Sequence, residues 1–295
     1  MAISDEWQQE LRQFEQLAAQ WSTRRFSTAT VKRFRTLVHS FYRQHGRDAP
    51  WRRNRTPYRV LVSEIMLQQT QVPRVVEPYG RFLKLFPTFQ ALAAAAPHEV
   101  IRAWQGLGYN RRGLALKKTA EQVVAHFNGR LPRDTESLTA LPGIGTYTAA
   151  AVRVFAFEIP DVVIETNIRT VYYHFFFHGW QTVSEADLED RIRQSLDVEQ
   201  PREWYYGLMD LGSALKRSGV KLNRLSPSYR TQSTFSGSRR EVRGKVLRAV
   251  SVKDRVSRQA LERCVGGDAR LGEVLEQLCA EGLLEATGRS FKLPS

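Results

Sequence analysis

From residue 28 to residue 217, apolar side chains recur every three or four positions in short runs, which is the period of helices with one buried face. Residues 28–45 form one such run. An earlier one, 7–21, places Leu11, Phe14, Leu17 and Ala18 on a single face. After a Pro-punctuated connector, "GRDAPWRRNRTPY", come "RVLVSEIMLQQT", "PRVVEPYGRFLKLF", "FQALAAAA", "PHEVIRAWQGLG", "RRGLALKKTAEQVVAHF" and "TESLTAL". Each run is bounded by Gly, Pro or polar capping residues, the punctuation that a bundle of short helices needs. Alternating strand patterns are scarce, so the main body is all-α. Periodicity lapses over 222–239, "LNRLSPSYRTQSTFSGSR", and this Ser-, Arg- and Pro-rich stretch is a linker or a wrapping segment. Beyond it, residues 240–295 hold three helical runs and then "LEATGRSFKLP", a short β-wing. That order predicts a small winged-helix-like module.

Charge adds a partner. The 295-residue chain carries a formal net charge of +14, and the excess is clustered. Over 24–59, eleven Lys/Arg accompany one acid, Asp48, and over 216–258 thirteen accompany Glu241 and Asp254. Basic clusters on a globular protein point to a polyanion, most often nucleic acid. The opening residues are polar and acidic, no stretch has the apolar length of a membrane span, and the two cysteines make no disulfide framework. These features predict a cytoplasmic, nucleoid-associated protein with no membrane partner, and a monomer.

The most specific local motif is "LTALPGIGTYTAAAVRVFAF". One helix ends at Ala140-Leu141, Pro142 and Gly143 turn the chain, and Ile144 plugs inward. Gly145 permits close approach of a ligand, and Thr146 caps a second helix that also carries Thr148. The N–H groups and positive dipole end of that helix suit a phosphate.

This hairpin resembles the helix-hairpin-helix (HhH-GPD) DNA glycosylase superfamily, which includes endonuclease III, and most of all its MutY-type adenine glycosylases. "PWRRNRTPYRVLVSEIMLQQTQVPRV" looks like the MutY signature, "WQGLGYNRR" like the loop that follows it, and "IETNIRTV" falls where the family carries its catalytic Asp. The likeness runs from about residue 30 to 212. It implies two all-α subdomains: a terminal-helix catalytic subdomain over 26–57 and 161–221, and a six-helix barrel with the hairpin over 58–160. An N-terminal helical extension, 1–25, precedes them. The implied partner is double-stranded DNA with a mispaired or damaged base.

Breaking an N-glycosidic bond requires protonation of the leaving base and support for positive charge on the sugar, a labour that two carboxyl groups in different environments can divide. Glu64 lies in an apolar helix, where desolvation favours its protonated form. The resemblance makes it the acid that protonates a flipped adenine at N7; the plainer alternative is a buried glutamate paired with an arginine such as Arg59. Glu165 stands where the family has aspartate as stabiliser of the oxocarbenium-like sugar, and its extra methylene moves the carboxylate by about 1.5 Å. Asp161 is a conceivable substitute or a turn residue. Asn167 fits the amide that orients the carboxylate and water.

Tyr147 takes the place of the Schiff-base lysine of bifunctional relatives, which predicts a monofunctional glycosylase. Lys117 and Lys118 offer adventitious amines, or are solvated helix residues. By resemblance Gln69 wedges into the duplex with Gln68 and Thr70 beside it, and Tyr109, in a loop with Leu107 and Gly108, wedges next to the opposite base. Arg111 and Arg112 meet phosphates or cap a helix. Trp51, Arg52 and Tyr58 line a base pocket, or the aromatics belong to the core. Asp210 looks structural.

Two departures from the family stand out. No cysteine follows "LMDLGSAL", so the usual four-cysteine iron–sulfur cluster has no ligands; Lys216, Arg217, Lys221, Arg224 and Arg230 are candidates for its electrostatic role. No metal or other cofactor is expected, apart from a monovalent cation that the hairpin has room for. The last sixty residues are also too short and too helical for the family's β-rich 8-oxoguanine-reading domain. The expected activity is excision of adenine opposite 8-oxoguanine or guanine. Removal of thymine or uracil opposite guanine is the rival within the enzymes, and a catalytically silent lesion sensor the rival outside them.

Overall fold

The structure is a computed structural model that describes residues 7, 9, 11–13, 16, 26–177, 179–230 and 234–295. Of the helix expected over 7–21, Phe14, Leu17 and Ala18 lie outside the described residues. The helices, in chain order, are α1 (Thr28–His45), α2 (Pro50–Arg53), α3 (Pro57–Leu67), α4 (Val72–Leu85), α5 (Phe89–Ala94), α6 (Pro97–Ala103), α7 (Arg111–Phe127) and α8 (Thr135–Ala140). There follow α9 (Thr146–Phe157), α10 (Thr166–Phe176), α11 (Glu185–Ser195), α12 (Pro201–Arg217), α13 (Arg239–Val252), α14 (Arg258–Val265) and α15 (Leu271–Ala280). A short 3-10 helix (Asn223–Leu225) follows α12, and three short strands lie in the C-terminal part: β1 (Val256–Ser257), β2 (Glu285–Thr287) and β3 (Ser290–Lys292).

Local chemistry explains the boundaries. Ser27, Thr56, Asp134, Ser184 and Ser238 each accept a hydrogen bond from the backbone N–H three residues on, which satisfies a donor the helix start leaves open. At the other end, Asn128 (φ 52°) closes α7 in the left-handed conformation.

The chain divides into two compact units, Met1–Ala49 with Ala149–Thr231, and Pro50–Thr148 with Gln232–Ser295. The core of the first is built on rings. Phe34, fully buried on α1, meets Tyr172, Phe176 and Trp204 edge-on at 5.6, 4.9 and 5.2 Å between ring centres. Trp7 packs edge-on to Phe41 at 5.1 Å and donates through Nε1 to Gln44. Asp210, buried on α12, accepts from both the backbone N–H and the Nε of Arg47, at 2.8 and 2.6 Å.

The second unit has two hydrophobic centres. One lies among α3 to α7, where the buried rings of Phe82 and Trp104 meet edge-on at 5.7 Å. Gly113 is required there, because a Cβ would stand 2.9 Å from the Trp104 ring. The other gathers Val246, Val250, Leu261, Val274, Leu278 and Leu283 of the C-terminal helices, and it includes Ile101 of α6. The C-terminal module is therefore built onto the helices before it. Gln105 to Ser251 (2.8 Å) and Arg102 to Asp254 (3.1 Å) add polar ties. Its sheet has the order β1-β3-β2, with both pairings antiparallel and Phe291 opposite Val256 and Ala286. No helix among the described residues is long and apolar enough to cross a membrane.

Candidate active site

Glu64 sits on α3 within an unbroken buried stretch from Val60 to Met66 and is only 8% exposed. The hydroxyl of Tyr147, at the start of α9, donates to its Oε2 at 3.5 Å. A phenol facing a buried carboxyl can orient it without neutralising it, as a lysine would. Arg59 lies on the same helix as Glu64, and Tyr147 reaches Glu64 from α9.

The C-terminal end of α3 is held by one side chain, and its carbonyls explain why. Helix ends leave carbonyls without partners and carry partial negative charge. The Arg112 guanidinium donates to Ile65 O at 2.8 Å and Met66 O at 3.2 Å, also to Gln68 O, and across to Thr70 Oγ1 at 3.1 Å and Gly108 O at 3.2 Å. Burial pulls its pKa down to about 10. Of the two roles left open for it, Arg112 takes the capping one: it clips the turn after α3 to the loop 107–110. Arg111 is exposed.

The two residues at the tips of these turns, Gln69 (φ 53°) and Tyr109 (φ 47°), are both held in the left-handed conformation despite having side chains. Such strain persists where the surroundings dictate it and clusters at functional sites. Gln69 is exposed and Tyr109 is 41% exposed. Leu107 is buried beneath them, and Gly108 (φ 70°) provides the turn.

In the hairpin, Gly143 (φ 78°) turns the chain, and Thr119 Oγ1 donates to Pro142 O at 2.7 Å. Ile144 is buried, while Gly143, Gly145 and Thr146 are exposed. A Cβ on Gly145 would meet open space, so the surface above it is clear for a ligand. Thr146 is the first residue of α9 itself. Thr148 faces inward, 2% exposed, and accepts from Gln68 Nε2 at 3.1 Å.

Several other candidates are engaged in packing. Trp51 is buried with its ring edge-on to Tyr79 at 5.5 Å, and Tyr58 is buried, donates to Phe86 O at 2.6 Å, and has its pKa raised by burial. Arg52 is half-buried beside them in sequence. Lys117, 8% exposed, donates to Ala93 O at 3.2 Å and pairs with Glu121, so it is neither solvated nor a free amine.

In the other unit Glu165 is the N-cap of α10. Its Oε1 accepts the backbone N–H groups of Asn167 (2.8 Å) and Ile168 (2.9 Å), and its Oε2 accepts from Asn167 Nδ2 (3.1 Å) and Thr166 Oγ1 (3.3 Å). Burial raises its pKa, against the pull of these donors and of the nearby Lys216 ammonium. Lys216 Nζ donates to Asn167 Oδ1 at 3.2 Å. Asp161 is committed elsewhere, to Arg153 at 2.8 Å.

The second unit thus offers a buried acid and a glycine-turned hairpin, and the first a carboxylate held by a helix N-terminus. The sequence matches, over residues 62–270, the family model described as HhH-GPD superfamily base excision DNA repair protein. The chain belongs to the HhH-GPD superfamily. An adenine DNA glycosylase of Mycolicibacterium smegmatis is 35% identical over 269 residues, which is 84% of this chain and 91% of that one. An adenine DNA glycosylase of Rattus norvegicus is 38% identical over 199 residues, 63% of this chain. The match spans 39% of the length of that mammalian relative. Among solved structures, a thermostable thymine-DNA glycosylase superposes with a TM-score of 0.56 at 26% identity, over 66% of this chain and 96% of that chain.

The HhH-GPD fold is all-α here, with the short sheet confined to the C-terminal module. Both cysteines, Cys264 and Cys279, lie in the C-terminal helices α14 and α15 and not in the stretch after α12. Lys216, a candidate from the sequence for a general electrostatic role, has a specific partner in Asn167, and Gly212, one turn before it on α12, carries no signal in the sequence. Gly212 itself is needed because a Cβ there would lie 2.1 Å from Asn167 O.

Proposed function

We propose that this protein is a monofunctional DNA glycosylase that removes adenine mispaired with 8-oxoguanine or guanine. The observation that carries this reading is the buried Glu64 beside the Tyr147 hydroxyl. A carboxylic acid kept from water can deliver a proton to adenine N7, and the base then departs with the electron pair of the C1′–N9 bond. The sugar develops positive charge, which the Glu165 carboxylate opposes. Water adds to C1′, its proton passes to a carboxylate, and the products are free adenine and an abasic site. Asn167 holds Glu165 in orientation for this step.

With a phenol where bifunctional enzymes have lysine, no imine to C1′ forms at that position, and the strand stays intact. The exposed faces of Gln69, Tyr109, Arg111 and the hairpin glycines supply the duplex contacts in this reading. The similarity to the adenine glycosylases supports the choice of base; the likeness to a thymine-DNA glycosylase structure favours thymine opposite guanine as the second reading.

The test is a panel of duplexes carrying A:8-oxoG, A:G, T:G and U:G, analysed with and without alkali. Alkali-dependent breaks at adenine support the first reading, and breaks at thymine or uracil the second. Tight binding without product on any duplex supports a silent sensor.

A further inference from the structure

The C-terminal module has no place in the chemistry above, but it forms one wall of a groove. Within the second unit a cavity of about 930 Å³ runs between the turns that carry Gln69 and Tyr109 and the face of α13. We infer that this groove holds a strand of the bound DNA, so that the C-terminal module is a second DNA-gripping element facing the strained turns.

Three observations converge on a nucleotide strand as the occupant. The first is charge: Arg74 and Arg111 line one side, and Arg240, Arg243 and Arg248 the other. The one acid among the lining residues, Glu281, is paired with Arg243 at 2.5 Å, and the groove keeps a net positive lining suited to phosphates. The second is aromatic: Tyr109 on one wall and Phe235 on the other are 41% and 60% exposed. Exposed rings flanking a basic groove are stacking surfaces for bases, whereas a purely phosphate-binding groove has no use for them.

The third is Gly244. It lies inside α13, where glycine is among the poorest helix formers, and a Cβ there would touch nothing in the protein. No packing in this chain accounts for the missing side chain. Gly244 lines the groove and is exposed, so its bare backbone leaves room for a ligand to approach the helix closely. The groove volume lies within the range of sites that enclose a ligand of nucleotide size.

The inference rests on the reading of this chain as a DNA-binding protein, and the experiment separates the two. A fluorescein-labelled duplex with adenine opposite 8-oxoguanine is titrated with the full chain over a range of salt. The variants are Arg240→Ala/Arg248→Ala together, Gly244→Leu, and Arg81→Ala as a surface control outside the groove. The double variant is expected to reduce the slope of log K against log salt by about two, one for each phosphate contact removed. Gly244→Leu is expected to weaken binding by at least about tenfold while its melting temperature stays equal or rises, because leucine is the better helix former. Arg81→Ala should bind as the unaltered protein does. Unaltered protein that binds duplex, together with a double variant of unchanged slope and a Gly244→Leu variant of unchanged affinity, overturns the groove assignment alone. Unaltered protein that binds no duplex overturns the DNA reading and this inference with it.

Discussion

The side-chain amide of Asn167 donates to Glu165 Oε2 at 3.1 Å, while the same carboxylate caps the helix in whose first turn Asn167 lies. The longer glutamate is thus fixed at both oxygens, by backbone donors on one and side-chain donors on the other. Glu165→Gln keeps the shape and removes the charge, so single-turnover adenine release should fall by about 100- to 1,000-fold. Glu165→Asp keeps the charge and should retain most of the rate. Full activity in Glu165→Gln would remove the carboxylate from the mechanism.

Burial raises the pKa of Glu165, and its role requires the ionised form, so activity should climb as pH rises through a value above the ordinary carboxylate range. Lys216 acts in the opposite sense by favouring the charged carboxylate. Lys216→Met should therefore move the rising limb of the kcat/KM profile to higher pH, and Lys216→Arg should leave it near its original place. A rising limb that does not move in Lys216→Met would separate the lysine from Glu165.

Gly212→Ala should disturb the same corner through packing. Its methyl would have to occupy a point 2.1 Å from Asn167 O, so helix and helix start must part. The expected loss is about 1–3 kcal/mol in urea unfolding, with adenine release falling further than stability alone accounts for. Unchanged values for both would show that the close approach is not required.

Arg112→Ala should release the turn after α3 from the loop 107–110. Several carbonyls would lose a charged donor, at a cost of about 2–3 kcal/mol. Hydrogen exchange should quicken at residues 68–70 and 107–110 first, and duplex affinity should drop. Arg112→Lys should rescue only part of this, since an ammonium cannot reproduce the planar fork.

Tyr147 predicts the product. Borohydride should trap no covalent complex with the abasic strand, and breaks should appear only after alkali. Trapping by the unaltered chain would reveal an amine at the sugar and would contradict the role given to Tyr147.

Much of this was legible in one dimension because helices are local. Apolar spacing, serine and threonine caps, and Gly or Pro stops are all encoded within a few residues, and the run over Thr28–His45 is helical throughout its length. Glu64, Glu165 and the hairpin stood out for a related reason: acids in apolar runs and glycines at tight turns are unusual in any context. Arg112, Trp51 and Tyr58 did not declare themselves. Their local sequence suits a surface role as well as a buried one, and the partners that decide between these are tens of residues away.

Residue type and short-range spacing sufficed to mark an all-α protein, two candidate carboxylates and a glycine-turned hairpin. Only the tertiary structure decided what those groups touch: Tyr147 on Glu64, Lys216 on Asn167, Arg112 across two turns, and α13 across a groove from Tyr109. The physical reason is distance along the chain. Long-range hydrogen bonds, burial and shared cavities depend on how helices pack, and packing is a property of the whole sequence at once.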